Sequence, residues 1–180
     1  RRHLTCTQEY LTHAIETVLE NRKSLMAEAI LVEDETGEFV SADVPELGTV
    51  TEIEVAERTV SGVVSKLVIH GSEHTISISG QSNIRAILNP VNQEIVRQDG
   101  STVTGWTSLP SPYYYVEKTD AGFVVHGGGF GHGAGMSIYG AGVLGRQGKS
   151  YKYILRHYFS YVDFTSIYTM DDGEETADSE

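Results

Sequence analysis

The stretch HGGGFGHGAGMSIYGAGVLGRQGKS, residues 126–150, organises the rest of the chain. Between Gly127 and Gly135 six of nine residues are glycine, and His132 is the one large polar side chain among them. Glycine loses more backbone freedom on folding than any other residue. So dense a run is costly unless the chain must adopt positive φ or let something approach its backbone closely. Downstream, Met136, Tyr139, Val143 and Leu144 recur at helical spacing. Gly140, Gly142 and Gly145 weaken that helix by about 1 kcal/mol each relative to alanine, which points to tight packing against another element. Gly148 is placed to end it, and Ser150 to cap a further helix over 151–159 in which Ile154, Leu155 and Tyr158 share a face.

Upstream, Thr5 with Gln8 forms a capping box, and Leu11, Ala14, Ile15, Val18 and Leu19 define one face of a helix ending near Lys23. Strand signals follow over 29–32, at Phe39 and Val40 after the Gly37 turn, and at Thr51, Ile53 and Val55. Residues 63–69 and 75–78 read as a hairpin about His70-Gly71-Ser72-Glu73. Its flanking histidines, His70 and His74, read as turn residues because no third ligand has metal-site spacing. Ser82 caps a short helix over 83–88 closed by Pro90, and residues 91–112 read as an irregular loop anchored by Trp106. A second hairpin, 113–117 with 123–126, leads into the glycine stretch, and 161–168 reads as a strand. The expectation is an α+β fold, antiparallel hairpins forming a twisted sheet or partial barrel with main helices near 5–23, 136–147 and 151–159. It is expected to occupy residues 1–170 as one domain, followed by a disordered acidic tail over 171–180.

The formal net charge is −12, but Asp171, Asp172, Glu174, Glu175, Asp178 and Glu180 carry half of it, so the body is only moderately acidic. Cys6 is the single cysteine, which excludes an internal disulfide and a cysteine-cluster zinc site; it reads as a small, partly buried apolar residue. The chain begins with Arg1 and carries no membrane-length apolar run, and is expected to be a piece of a longer protein.

Glycine-rich loops between a strand and a helix commonly cradle phosphate. The dinucleotide form needs a βαβ unit and an acidic residue about twenty positions on, and the triphosphate form needs Gly-Lys-Ser/Thr. Residues 129–135 follow antiparallel hairpins, and residues 149–157 supply bases instead of that acid, so nucleotide binding is discounted. The segment instead resembles the C-terminal signature of the stage II sporulation protein D family, peptidoglycan lytic transglycosylases related to the amidase enhancers. Gly127, Gly129, Gly131, His132, Gly133, Gly135, Met136, Ser137, Gly140 and Ala141 match in register, as do Gly148, Ile154, Leu155 and Tyr158. Three residues depart from it: Ile138 stands where glutamine is usual, Gly145 where alanine is common, and Ser160-Tyr161 where Pro-Gly is usual.

The resemblance implies a protein that binds peptidoglycan glycan strands outside the cytoplasm, alongside other cell-wall hydrolases. It implies no cofactor, metal or nucleic acid, and membrane attachment only through a segment absent here. It also implies glycan contacts from Gly131, His132, Gly133, Gly135, Ser137, Tyr139 and Arg146. Cleavage of a glycosidic bond needs an acid to protonate the leaving oxygen. There is no Asp or Glu between Ala121 and Val162, so the catalytic acid is expected in sequence upstream of this chain, which alone is expected to be inactive. The bases Arg146, Lys149, Lys152 and Arg156 suit either a carboxylate-bearing substrate or a solvated helix face. His132 either positions a sugar hydroxyl or is a buried histidine bonded to backbone, and its flanking glycines favour the first. Ser137 lacks the nucleophile-elbow pattern and reads as a backbone cap or a sugar contact, while Tyr139 suits stacking and core packing equally. Two functions remain open: the C-terminal part of a lytic transglycosylase, and a non-catalytic peptidoglycan-binding module or amidase enhancer.

Overall fold

The computed structural model describes residues 1–22 and 29–165. The described residues divide into two units, 1–133 and 134–165.

The first unit is α+β, with two antiparallel five-stranded sheets that do not close into a barrel. One runs β8-β7-β1-β10-β9 and the other β3-β2-β6-β5-β4. In the first are β1 (Arg2–Cys6), β7 (Ile95–Arg97), β8 (Thr102–Val103), β9 (Tyr114–Thr119) and β10 (Gly122–Gly127). In the second are β2 (Ile30–Glu33), β3 (Phe39–Val40), β4 (Val50–Arg58), β5 (Val64–Gly71) and β6 (Thr75–Ser79). Helices α1 (Gln8–Arg22) and α2 (Gln81–Ile87) pack with them around one core. Alternation on β1 and β10 turns Leu4, Cys6, Phe123 and Val125 inward, where they meet Leu11 and Ile15 of α1 and Leu67, Ile69, Ile76 and Ile78 of the second sheet.

The first five residues differ from expectation. Helix α1 begins after Thr7, whose hydroxyl accepts from the Tyr10 N–H at 3.2 Å, so the capping box at Thr5 does not form. Leu4 and Cys6 alternate inward, and β1 is the central strand of its sheet, paired with β10 and β7. Central pairing outweighs the helical signal at Thr5. Helix α2 is capped at Gly80, not Ser82. The segment expected to be irregular holds the β7–β8 hairpin, closed by an Asp99-Gly100 turn in which Asp99 accepts from the Ser101 N–H and hydroxyl. Trp106 does pack against the core as expected.

The second unit holds α3 (Ile138–Arg146) and α4 (Tyr151–Tyr158). Ser137 and Ser150 cap them through the N–H groups of Gly140 and Tyr153, and Gly148 follows the first helix with φ +77°. Gly140 lies against the Tyr158 hydroxyl, so one small-residue position is used for helix contact. Residues 161–165 are not strand; the remainder of the expected strand and the acidic tail lie outside the described residues.

Candidate functional site

Strand β10 delivers the chain to the glycine stretch. Its register sets His126 opposite both Tyr115 of β9 and His3 of β1, so three rings form one row across three strands. Tyr115 stacks on His126 with centroids 4.8 Å apart and planes 19° apart, and the His3 and His126 centroids are 6.2 Å apart. Glu117, diagonal on β9, reaches His126 Nε2 at 3.0 Å and fixes the imidazole. At this end of the sheet lies a cleft of about 650 Å³. Its walls include Tyr113, Tyr115 and His126, the arginines Arg1, Arg2, Arg58 and Arg97, and Gly127 and Gly128.

From there the glycines are fixed to the preceding loop. The Gly128 N–H donates to the Tyr113 carbonyl at 3.0 Å, the Gly131 N–H donates to the Pro110 carbonyl at 2.9 Å, and Arg2 Nη1 donates to the Gly129 carbonyl at 3.1 Å. That loop is itself held by α2, since Arg85 Nε donates to the Leu109 carbonyl at 2.7 Å and the Leu109 N–H donates back to the Arg85 carbonyl at 2.9 Å. Gly129, Gly131, Gly133 and Gly135 all have positive φ, every second residue. The need is plainest at Gly133, with φ +79° and a Cβ that would stand 2.7 Å from Val63 Cγ2. At Gly131 a side chain would meet open space, so the backbone there is bare by composition and not by crowding. The ribbon carries Phe130, edge-on to Trp106 at 5.7 Å, the exposed His132, and the small Ala134.

Of the residues singled out from sequence, Gly131, His132 and Gly133 belong to the first unit, and Gly135, Ser137, Tyr139 and Arg146 to the second. His132 is exposed, which removes the buried-histidine alternative. The Ser137 hydroxyl is engaged as a cap. Tyr139 is 88% exposed, so it packs into no core of its own unit. Arg146 closes α3, while on the following segment Lys149 lies over the Tyr153 ring at 4.9 Å and Arg156 over Phe164 at 5.1 Å. Those two bases are thus partly occupied by rings of their own unit. The arginines of the cleft were not legible in sequence, because Arg2, Arg58 and Arg97 meet only through strand order. Among the described residues no three His, Cys, Asp or Glu side chains are grouped to hold a metal ion, and no helix is long and apolar enough to cross a membrane.

The first unit is thus an α+β fold whose β9–β10 hairpin runs into a hydrogen-bonded glycine ribbon beside a basic, aromatic cleft. Residues 20–135 match the family model described as Domain of unknown function (DUF8618), and the chain belongs to that family; parts of it are also similar to stage II sporulation protein D and the amidase enhancers. It is 32% identical over 98 residues to an uncharacterised protein of Brachyspira hyodysenteriae, covering 53% of this chain and 27% of that protein. It is 40% identical over 65 residues to the amidase enhancer of Bacillus subtilis, covering 36% of this chain and 9% of the relative. With stage II sporulation protein D of Bacillus amyloliquefaciens it shares 54% identity over 37 residues, 21% of this chain and 11% of that one. The chain thus spans about a quarter or less of the length of each. No solved structure matches it.

Proposed function

We propose that this chain is the glycan-binding part of a bacterial cell-wall protein of the stage II sporulation protein D and amidase enhancer type. In this reading the glycine ribbon is a platform along which a peptidoglycan strand lies, and the parent cleaves the strand as a lytic transglycosylase. The single observation that carries it is the ribbon: alternate left-handed glycines, fixed through Pro110, Tyr113 and Arg2, expose backbone over a span free of carboxylates. A backbone surface without side chains lets a bulky polymer approach closely, and His132 is the polar side chain placed to bond a sugar hydroxyl there. A lytic transglycosylase can work with one acid, because the 6-hydroxyl of muramic acid attacks the anomeric carbon as the leaving oxygen is protonated. That acid cannot come from residues 121–162, which hold no Asp or Glu.

The amidase enhancer likeness favours a second reading, a binding module without chemistry. Digesting denuded glycan strands with the full-length parent, and detecting 1,6-anhydro products by mass spectrometry, separates the two. Product release that falls at least about ten-fold in His132→Ala supports the first reading; glycan binding without product supports the second. Absence of glycan binding overturns both. The chain alone is expected to bind and not to cleave.

A further inference from the structure

We propose that the cleft beside Gly127 and Gly128 is a carboxylate-recognising subsite, in which Arg58 and Arg97 bind a carboxylate carried by a sugar that lies on the exposed rings of Tyr113 and Tyr115. The proposal rests on the glycan-binding reading and gives the chemistry by which one ring of the polymer is distinguished from the other.

Charge carries the argument first. In a chain of net charge −12, no Asp or Glu among the described residues lines this cleft, whereas Arg1, Arg2, Arg58 and Arg97 do. Among the described residues the close base–carboxylate contacts join Lys66 to Glu57, His70 to Glu54 and His126 to Glu117, and none of them involves Arg2, Arg58 or Arg97. Asp99 accepts from Ser101 within its own turn, and its attraction to Arg97 is the lesser of its interactions. Two of the arginines are also held in place by neutral groups. Arg58 donates through Nη1 to the Gly62 carbonyl at 2.9 Å and through Nη2 to the Tyr114 carbonyl at 2.7 Å, and Arg2 donates to the Gly129 carbonyl. A guanidinium has five N–H donors, so Arg58 keeps its positive charge and further donors while its position is set in advance. A cation anchored by carbonyls and unpaired by acids is suited to an incoming anion.

Shape and surface add the sugar. A cleft of about 650 Å³ falls within the usual range for small-ligand sites. Tyr113 and Tyr115 are 52% and 54% exposed, and Tyr115 is held by its stack on His126. Such rings offer an apolar face and a polar hydroxyl together, the combination a pyranose needs. Backbone forms the wall between rings and arginines, and a Cβ at Gly128 would point into open space. Phosphate would satisfy the arginines but leave the tyrosine faces unused, so a carboxylate-bearing sugar is the better occupant. Its carboxylate comes either from the lactyl ether of muramic acid or from an attached stem peptide.

Calorimetric titration of the full chain with three probes tests this: denuded glycan strands, which keep the lactyl carboxylate; a chitooligosaccharide of equal length, which has none; and free stem peptide. Denuded strands are expected to bind about ten-fold tighter than the chitooligosaccharide, as loss of a charge-assisted contact would predict. Arg97→Ala should remove that preference and leave chitooligosaccharide affinity unchanged. Gly128→Leu should block both sugars while the circular dichroism spectrum and thermal midpoint stay unaltered. Stem-peptide binding that is lost in Arg97→Ala also supports the subsite and assigns the carboxylate to the peptide. Equal affinity for the two sugars, with Arg97→Ala silent, overturns the subsite and leaves the glycan reading standing. Failure of both sugars to bind overturns the subsite and the glycan reading together.

Discussion

Replacing Gly133 with alanine tests whether the ribbon's backbone is dictated by its glycines. The residue sits at φ +79°, and holding an L-residue in that region costs roughly 1–2 kcal/mol. The new Cβ would stand 2.7 Å from Val63 Cγ2, well inside the 3.5–4.0 Å at which carbon atoms attract. Val63 is β-branched and stiff at χ1, so relief comes from backbone movement, and overpacking of this kind costs about 1–3 kcal/mol. Together the two terms predict a loss of about 2–5 kcal/mol, a large part of the stability of an ordinary domain. With a urea dependence of about 2 kcal/mol per molar, the unfolding midpoint should fall by about 1–2.5 M. Gly128→Ala is the control: its Cβ meets open space and its φ lies outside the left-handed region, so the change should stay within about 0.5 kcal/mol. Pairing Gly133→Ala with Val63→Ala should reveal a coupling of about 1–2 kcal/mol, because the smaller side chain removes the clash but not the strain. A Gly133→Ala loss no larger than that of Gly128→Ala, or zero coupling, would refute the reasoning.

Three further outcomes are expected. Ser137→Ala and Ser150→Ala should each weaken their helix by about 1 kcal/mol, read as lost helical circular dichroism, because each hydroxyl accepts a first-turn N–H. Gly140→Ala should loosen the α3–α4 pair by about 1–3 kcal/mol through collision with the Tyr158 hydroxyl, and Tyr158→Phe in the same chain should recover most of it; no recovery would mean another atom is responsible. Burial raises the Cys6 thiol from 9.0 to about 11, so the folded state keeps a proton that the unfolded state releases first. Stability is therefore intact below about pH 9 and declines between there and pH 11, by about 3 kcal/mol at most for this group. Burial raises the Tyr114 phenol in the same sense, so Cys6→Ala should flatten the alkaline decline of the urea midpoint only in part.

What could be read from the sequence was whatever is locally determined. The apolar stripe of α1, the β5–β6 and β9–β10 hairpins, and the serine caps of α3 and α4 each depend on residues within one turn or one hairpin. What could not be read depends on distant pairing. Arg2-His3-Leu4-Thr5-Cys6 holds only two inward side chains, too few to signal a strand, and becomes one because β10 and β7 flank it. The β7–β8 hairpin did carry a local sign, Asp99-Gly100, obscured by the shortness of its strands. The same separation hid the cleft. The bases at 146, 149, 152 and 156 lie close together in sequence, whereas Arg2, Arg58 and Arg97 beside the ribbon come from three strands far apart in the chain.

The central claim, that the glycine ribbon lies against a glycan strand, is tested most directly by following backbone amides of the 15N-labelled chain by NMR during titration with denuded glycan strands. The account predicts progressive shifts at Gly127, Gly128, Gly129, Gly131 and Gly133, together with Tyr113 and Tyr115, and none along α1. Saturable binding that leaves those glycine amides unmoved, or no binding at all, would contradict it.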